Sequence, residues 1–180
     1  MHFYDIIRKR DSIKNFTDRP IDNSKVQRII NSFLNSPSWK NNKSPKIILV
    51  NNAQQKQYLS SCVMNNVNSS ADSLNQAPLV AIVVADPAES GVIDDKELYL
   101  VDSAIAMEHL VLAATNEGYG TCWIASIDEN KIKQGLNIPQ NYRVVAMTPI
   151  GEVGSYPTHE NNELQSQNHV FWNGWNNDIK

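Results

Sequence analysis

The chain has 180 residues, enough for one domain with a sizeable core. Its 16 Lys and Arg against 19 Asp and Glu leave a formal net charge of −3, which argues against a general polyanion binder, so no nucleic-acid partner is expected. Cys62 and Cys122 belong to no CxxC pair, and His2, His109, His159 and His169 show no ligand spacing, so neither a disulfide framework nor a metal site is expected.

The opening residues Met1–Asp5 lack the charged start and apolar run of a secretory signal, and the longest apolar run, Leu79–Ala85, has a strand's length. These features, with reduced thiols, give the expectation of a cytoplasmic protein with no membrane partner. Phe3–Lys9 reads as a short helix with Phe3, Ile6 and Ile7 on one face. It runs into Arg8-Lys9-Arg10-Asp11-Ser12-Ile13-Lys14-Asn15-Phe16, which sets cations beside a hydroxyl in an exposed turn. Two readings stay open there. Guanidinium, ammonium and hydroxyl together suit a phosphate, and cations at a helix C-terminus also simply favour the helix dipole.

Asp22 is placed to cap a second helix that runs to Asn35, with Val26, Ile29, Ile30, Phe33 and Leu34 at helical spacing, and Pro37 stops it. The following Ser36-Pro37-Ser38-Trp39-Lys40-Asn41 exposes hydroxyl, amide and indole groups; an ordinary helix-terminating loop has the same composition. Ile47–Val50 reads as a strand, Gln54–Met64 as a helix, and Leu79–Ala85 as a central strand buried on both faces. Lys96–Glu117 is the longest helical pattern, apolar over more than one face, which a second subunit or a central core position would each explain.

Gly118-Tyr119-Gly120 ends that helix and Thr121–Ala125 reads as a strand. The glycines permit close backbone approach to a ligand, and a helix C-cap before a strand accounts for them equally. Asp128 caps a short helix closing at Gly135, and Tyr142–Ile150 is a further strand. The remaining tail is polar apart from Val170-Phe171-Trp172 and Trp175, aromatics expected to anchor an arm on the body or on a partner. The order of elements fits an α+β sandwich.

Taken together, the R-x-S-x-K turn near residue 10, the P-S-x-x-N loop after the second helix and Gly120-Thr121-Cys122-Trp123-Ile124 resemble the FMN-dependent nitroreductase family. Leu136-Asn137-Ile138-Pro139 followed by Tyr142–Ala146 is similar to that family's closing strand, so the resemblance covers roughly Ile6 to Trp175. It implies one domain over residues 1–180, a mixed, mostly antiparallel sheet flanked by helices, and a homodimer with shared active sites, the tail 152–180 packing as an arm on the partner. It further implies FMN, with NAD(P)H as reductant and a small-molecule electron acceptor. By that resemblance Arg10, Asp11, Ser12 and Lys14 hold the phosphate and ribityl chain, and Lys14 also stabilises reduced flavin near its N1–C2 edge. Pro37, Ser38, Trp39 and Asn41 come from the other subunit, and Trp123, Ile124, Ala125 and Ser126 lie along the isoalloxazine edge, the amides of Ala125 and Ser126 near N5.

No protein catalytic residue is expected, since the chain shows no triad and no suggestive carboxylate pair, and a flavin carries the electrons itself. The implied reaction is ping-pong hydride transfer from NAD(P)H through flavin N5 to nitroaromatics, quinones or activated alkenes. Two alternatives are a flavin-binding or carrier homodimer with little turnover, and another reaction on the same scaffold, such as reductive dehalogenation or flavin breakdown.

Two departures qualify the resemblance. Where the family commonly continues its loop with x-Q-P-W-x-F, this chain has Asn42, Lys43, Ser44, Pro45, Lys46 and Ile47. Where the family often adds one or two cations for the phosphate, His159 to His169 contains no Lys or Arg. One missing charge-assisted bond weakens binding about 10- to 100-fold, so loose FMN retention is expected unless Arg8, Lys9 or His159 compensates. Asn65, Asn66 and Asn68 read as a solvated loop or as donors to the flavin's polar edge.

Overall fold

A computed structural model describes residues 2–64, 69–158 and 169–175. The elements run α1 (Phe3–Lys9), β1 (Asn15–Phe16), α2 (Asn23–Leu34), β2 (Pro45–Val50), α3 (Ala53–Ser61), α4 (Ser70–Gln76), β3 (Leu79–Ala85), β4 (Val92–Ile93), β5 (Lys96–Glu97), α5 (Leu98–Asn116), β6 (Tyr119–Thr121), α6 (Glu129–Leu136) and β7 (Arg143–Ser155). The fold is α+β. Five strands form one sheet in the order β1-β7-β3-β2, with β6 also on β7, and every ladder among the described residues is antiparallel. The parallel contribution is one isolated bridge, Ser12 to Thr121.

β3 shows why two helical layers are needed. All seven of its residues are buried, and alternate side chains point to opposite faces. Val80, Ile82 and Val84 meet Leu59, Leu74 and Ile132 of α3, α4 and α6. Leu79, Ala81 and Val83 meet Ile29 and Phe33 of α2 and Ala106, Met107, Leu110 and Ala114 of α5. The sheet is therefore the middle of three layers, and α5 lies against one face of it.

The expected helix starts are found where side chains cap them: Asp22 accepts from the Ser24 amide and Asp128 from the Lys131 amide. Several boundaries move. The Gln54–Met64 helix is Ala53–Ser61, capped by Asn52, whose side chain accepts from Gln55 N–H. The long helix begins at Leu98, because Asp94 and Asp95 both take positive φ and fold Lys96–Glu97 back on Val92–Ile93 as a hairpin. The strand expected over Thr121–Ala125 is Tyr119–Thr121, with Ile124 contributing one further bridge to Met147. β7 continues through Gly151 to Ser155 because β6 and β1 pair with that stretch. Any arm of the expected tail therefore begins after Ser155; most of that tail lies outside the described residues, as do Asn65, Asn66, Asn68 and His159.

α5 is long and apolar enough in composition to cross a membrane, but half of that stretch is buried against the sheet and α2, as in a core helix. Its other side stays open. Leu100 is 44% and Val101 50% exposed, Ala104 is exposed, and Ile105 and Leu112 are partly so. Beside it, Phe3 and Ile6 of α1 line an apolar cleft of about 460 Å³ with Leu112 and Ala113.

Candidate functional site

The segment 10–14 leaves α1 and is stitched beside β6. The Ile13 amide donates to the Thr121 carbonyl at 2.8 Å, and Ile13, 2% exposed, fills the space over Gly120. A Cβ on Gly120 would come within 2.8–2.9 Å of three Ile13 side-chain atoms, so glycine is required there by close approach. Gly118 alone supplies the positive φ, 87°, that ends α5. With Ile13 buried, the residues on either side turn outward. Ser12 is exposed, and Arg10 and Lys14 are half-buried.

The side chains of Arg10 and Lys14 form no hydrogen bond or ion pair among the described residues, and the Asp11 carboxylate lies in the same turn. Asp11 accepts from the Ser12 amide at 2.7 Å and so shapes the turn. The cations' field reaches Cys122. Burial pushes its thiol up, Lys14 and Arg10 partly oppose that shift, and the Asp11 carboxylate adds to it. Cys122 and Ile124 point into the core, leaving Trp123, 40% exposed, and Ala125 and Ser126 on the outer side. Ile124 exchanges backbone bonds of 2.9 and 2.8 Å with Met147, and the Ser126 carbonyl accepts from Met64. The amides of Ala125 and Ser126 have no hydrogen-bond partner among the described residues.

The loop after α2 is built differently. Ser36 is buried, and Lys40, Asn41 and Lys43 all have positive φ, 48°, 58° and 55°. Such left-handed residues without glycine cost roughly 1–3 kcal/mol each and persist only where the surroundings impose them. Here the Lys43 amide donates to Ser38 Oγ at 2.9 Å and its Nζ to the Ser36 carbonyl at 2.7 Å. The Trp39 amide donates to Asp102 of α5 at 2.8 Å. Gly91 lies under the indole, where a Cβ would stand 2.8 Å from Trp39 Nε1. Asp102, Ser44, Ser90 and Gly91 were not anticipated from the sequence, although Asp102-Ser103 is a visible polar break in an otherwise apolar helix.

The expected site residues thus form two groups within one chain. Ile13, Thr115 and Gly120 share one small cavity at the C-terminal end of α5, whereas Trp39 binds Asp102 near its N-terminal end. Thirteen helical residues between Asp102 and Thr115 span about 20 Å. The sheet gives the same separation. Pro45, directly after the loop, pairs with Ala85, and Thr121 and Leu79 both pair with Ile150. The six steps from Leu79 to Ala85 rise about 20 Å. Arg10, Asp11, Ser12 and Lys14 are together with Trp123–Ser126; Pro37, Ser38, Trp39 and Asn41 are not with them.

Among known proteins, the model of the nitroreductase family matches residues 7–152. A crystal structure of a nitroreductase family protein from Clostridium novyi NT is 47% identical, covers 85% of this chain and 87% of its own, and superposes with a TM-score of 0.83. An FMN-dependent nitroreductase from Clostridium difficile R20291 shares the fold, with TM-score 0.81 at 22% identity over 94% of this chain and 98% of its own. A protein of Archaeoglobus fulgidus provisionally named NADH dehydrogenase/NAD(P)H nitroreductase is 25% identical over 159 residues, 86% of this chain and 85% of its own.

Proposed function

The chain belongs to the nitroreductase family, and from that premise we propose a homodimeric flavin enzyme in which each site is shared between two copies. It is an NAD(P)H oxidoreductase, and FMN is its cofactor. The residues present fit that group. Two half-buried cations with no side-chain partner among the described residues suit a phosphate, the exposed Ser12 lies between them in the turn's sequence, and the amides of Ala125 and Ser126, without a partner among the described residues, suit the polar edge of a flavin ring.

One observation carries the shared site: its two groups of residues lie about 20 Å apart, at opposite ends of α5, and the open side of that helix, apolar except at Glu108 and His109, runs between them. A two-fold axis that pairs this stripe with its copy in antiparallel sense sets the N-terminal end of one α5 beside the C-terminal end of the other. Loop 37–41 of the second copy then completes the group 10–14 and 123–126 of the first. Burying Leu100, Val101, Ile105 and Leu112 supplies the driving force.

A bound FMN would supply two-electron chemistry linking a reduced nicotinamide to an acceptor in a ping-pong cycle. The protein's part is to hold and orient. Arg10 and Lys14 would hold the phosphate, and the positive charge of Lys14 would also favour the reduced flavin. The amides of Ala125 and Ser126 fix the ring's outer edge. Trp123 and Trp39 present partly exposed indoles, which favour flat conjugated acceptors such as quinones and nitroaromatics over saturated ones. Cytoplasmic reduced nicotinamide is the proposed source of electrons.

The test is an anaerobic titration of FMN-reconstituted protein with NADH and then NADPH, followed in the flavin's visible band. Bleaching that reverses on adding a quinone or a nitroaromatic is the expected result. Bound flavin that stays yellow with both reductants would replace the enzyme with a flavin carrier. The lack of Lys or Arg from His159 to His169 is the observation that favours that second reading.

A further inference from the structure

Asp102 is the one fully buried acid among the described residues, 3% exposed, and it makes no ion pair there. It stands one turn into α5, the end at which the helix dipole favours negative charge. Its oxygens instead accept three bonds from three separate pieces of chain. Oδ1 takes the Trp39 amide at 2.8 Å, and Oδ2 takes the hydroxyls of Ser44 at 3.1 Å and Ser90 at 3.0 Å. One donor lies at the start of the strained loop, one at the loop's return into β2, and one in the turn that carries Gly91 beneath the indole. A carboxylate buried without a cation is retained only if it is well hydrogen-bonded, and three of its roughly four acceptor positions are filled here.

We propose that Asp102 is a positioning residue of the cofactor site: it fastens both ends of the Trp39 loop to α5, and so sets the shape that this loop offers to the flavin held by the second copy. The proposal rests on the shared-site reading above. Asp102 itself points inward, away from any ligand, and acts through the Trp39 backbone. Lys40, Asn41 and Lys43 hold left-handed conformations that a free loop would abandon. Releasing the Trp39 amide lets the loop relax, and FMN binding must then re-order it.

The experiment compares Asp102→Ala and Asp102→Asn as apo-dimers, reading FMN affinity by flavin fluorescence and assembly by sedimentation. Asp102→Ala is expected to bind FMN about 10- to 100-fold more weakly while remaining dimeric. Asp102→Asn keeps a carbonyl oxygen for the Trp39 amide and is expected to recover affinity to within about threefold of the unsubstituted protein. A dimeric Asp102→Ala with unchanged FMN affinity overturns the proposal, and so does an Asp102→Asn that loses as much as the alanine variant. Should Asp102→Ala fail to fold, amide exchange of the unsubstituted apo-protein decides. The Trp39 amide is expected to exchange at least about tenfold more slowly than in an unstructured chain, and an unprotected Trp39 amide overturns the clamp. Arg10→Ala with Lys14→Ala is run in parallel. If that pair also leaves FMN affinity unchanged, the flavin site itself is misplaced; if it weakens binding and Asp102→Ala does not, only the clamp falls.

Discussion

The two ends of α5 carry the two halves of the site, and they are built on opposite principles. At the C-terminal end the backbone is pinned by Ile13 on Thr121 and by the close fit over Gly120, while the polar side chains Arg10, Ser12 and Lys14 are left uncommitted. At the N-terminal end the polar groups are committed inward, to Asp102, Ser38 and Ser36, and the backbone is strained. The first end offers charge on a fixed frame. The second offers shape held in place by internal bonds. The difference teaches that a family of site residues read off a sequence can include two jobs, binding and covering, which need different kinds of support.

The largest expected effect falls on the charged end. Arg10→Ala with Lys14→Ala removes two charge-assisted contacts and is expected to weaken FMN binding by about 100- to 10,000-fold, with the dimer intact by sedimentation. Mixed dimers sharpen the comparison. A subunit carrying this pair, combined with one carrying Trp39→Ala and Asn41→Ala, leaves one site damaged twice and the other undamaged. Flavin occupancy near one per dimer, tight at that one site, is expected; two sites each damaged once, with neither at full affinity, would mean that both groups of residues serve the same subunit's flavin.

Gly120→Ala comes next. Ile13 is buried and β-branched, so it has no free rotamer into which to retreat from the added methyl. A loss of about 2 kcal/mol in stability is expected from this overpacking, measured by urea unfolding, together with weaker FMN binding because Arg10 and Lys14 move with Ile13.

How much of this was legible beforehand follows from how local each signal is. Leu79–Ala85 was readable because a strand buried on both faces is apolar at every position. Asp22 and Asp128 were readable because caps act within three residues. α4 was not, because Ser70-Ala71-Asp72-Ser73-Leu74-Asn75-Gln76 buries only Ala71, Ser73 and Leu74 and carries no clear helical stripe. Residues 151–155 read as tail because their strand character comes from pairing with β6 and β1, partners more than thirty residues away. The cation group was visible as a motif, and its lack of side-chain partners among the described residues was not. Asp102 was the harder loss, since its three partners lie 63, 58 and 12 residues away.

Glu129 provides a control on the loop end of the sheet, on the face away from α5. It pairs with Arg143 at 2.9 Å and with the buried Lys133 at 3.1 Å. Burial pushes its carboxyl up, but bonds from Arg143, the Val144 amide and Lys133 outweigh that and hold it below the ordinary carboxylate value. The folded state therefore favours the charged form, and this contribution is present above the unfolded value of about 4.3 and is lost as pH falls towards the folded one. Glu129→Gln is expected to cost roughly 1–2 kcal/mol at neutral pH, to converge with the unsubstituted protein as unfolding is measured below about pH 4, and to leave FMN affinity unchanged. A flavin effect from this variant would mean that the ion pairs of α6 also bear on the site.

The smallest effect on stability, and the most local, belongs to Gly91→Ala. The backbone there needs no positive φ, so alanine is tolerated in itself and gains about 0.5 kcal/mol by restricting the unfolded chain. Against that stands the contact with the indole, 2.8 Å from Nε1 and 3.2 Å from Cδ1. The indole is the outer end of a partly exposed side chain, so it is expected to tilt aside rather than to transmit strain into the core. Net stability is therefore expected to change by less than about 1 kcal/mol in thermal unfolding. The readout that moves is the acceptor's KM, because Trp39 is the group displaced, while FMN affinity stays within about threefold since the Asp102 bonds to the loop are untouched. Gly120→Ala disturbs both stability and flavin binding, whereas Gly91→Ala should separate acceptor recognition from either. An unchanged KM, with the indole shown to have moved by its altered fluorescence, would remove Trp39 from the acceptor's path and leave it only the task of closing the site.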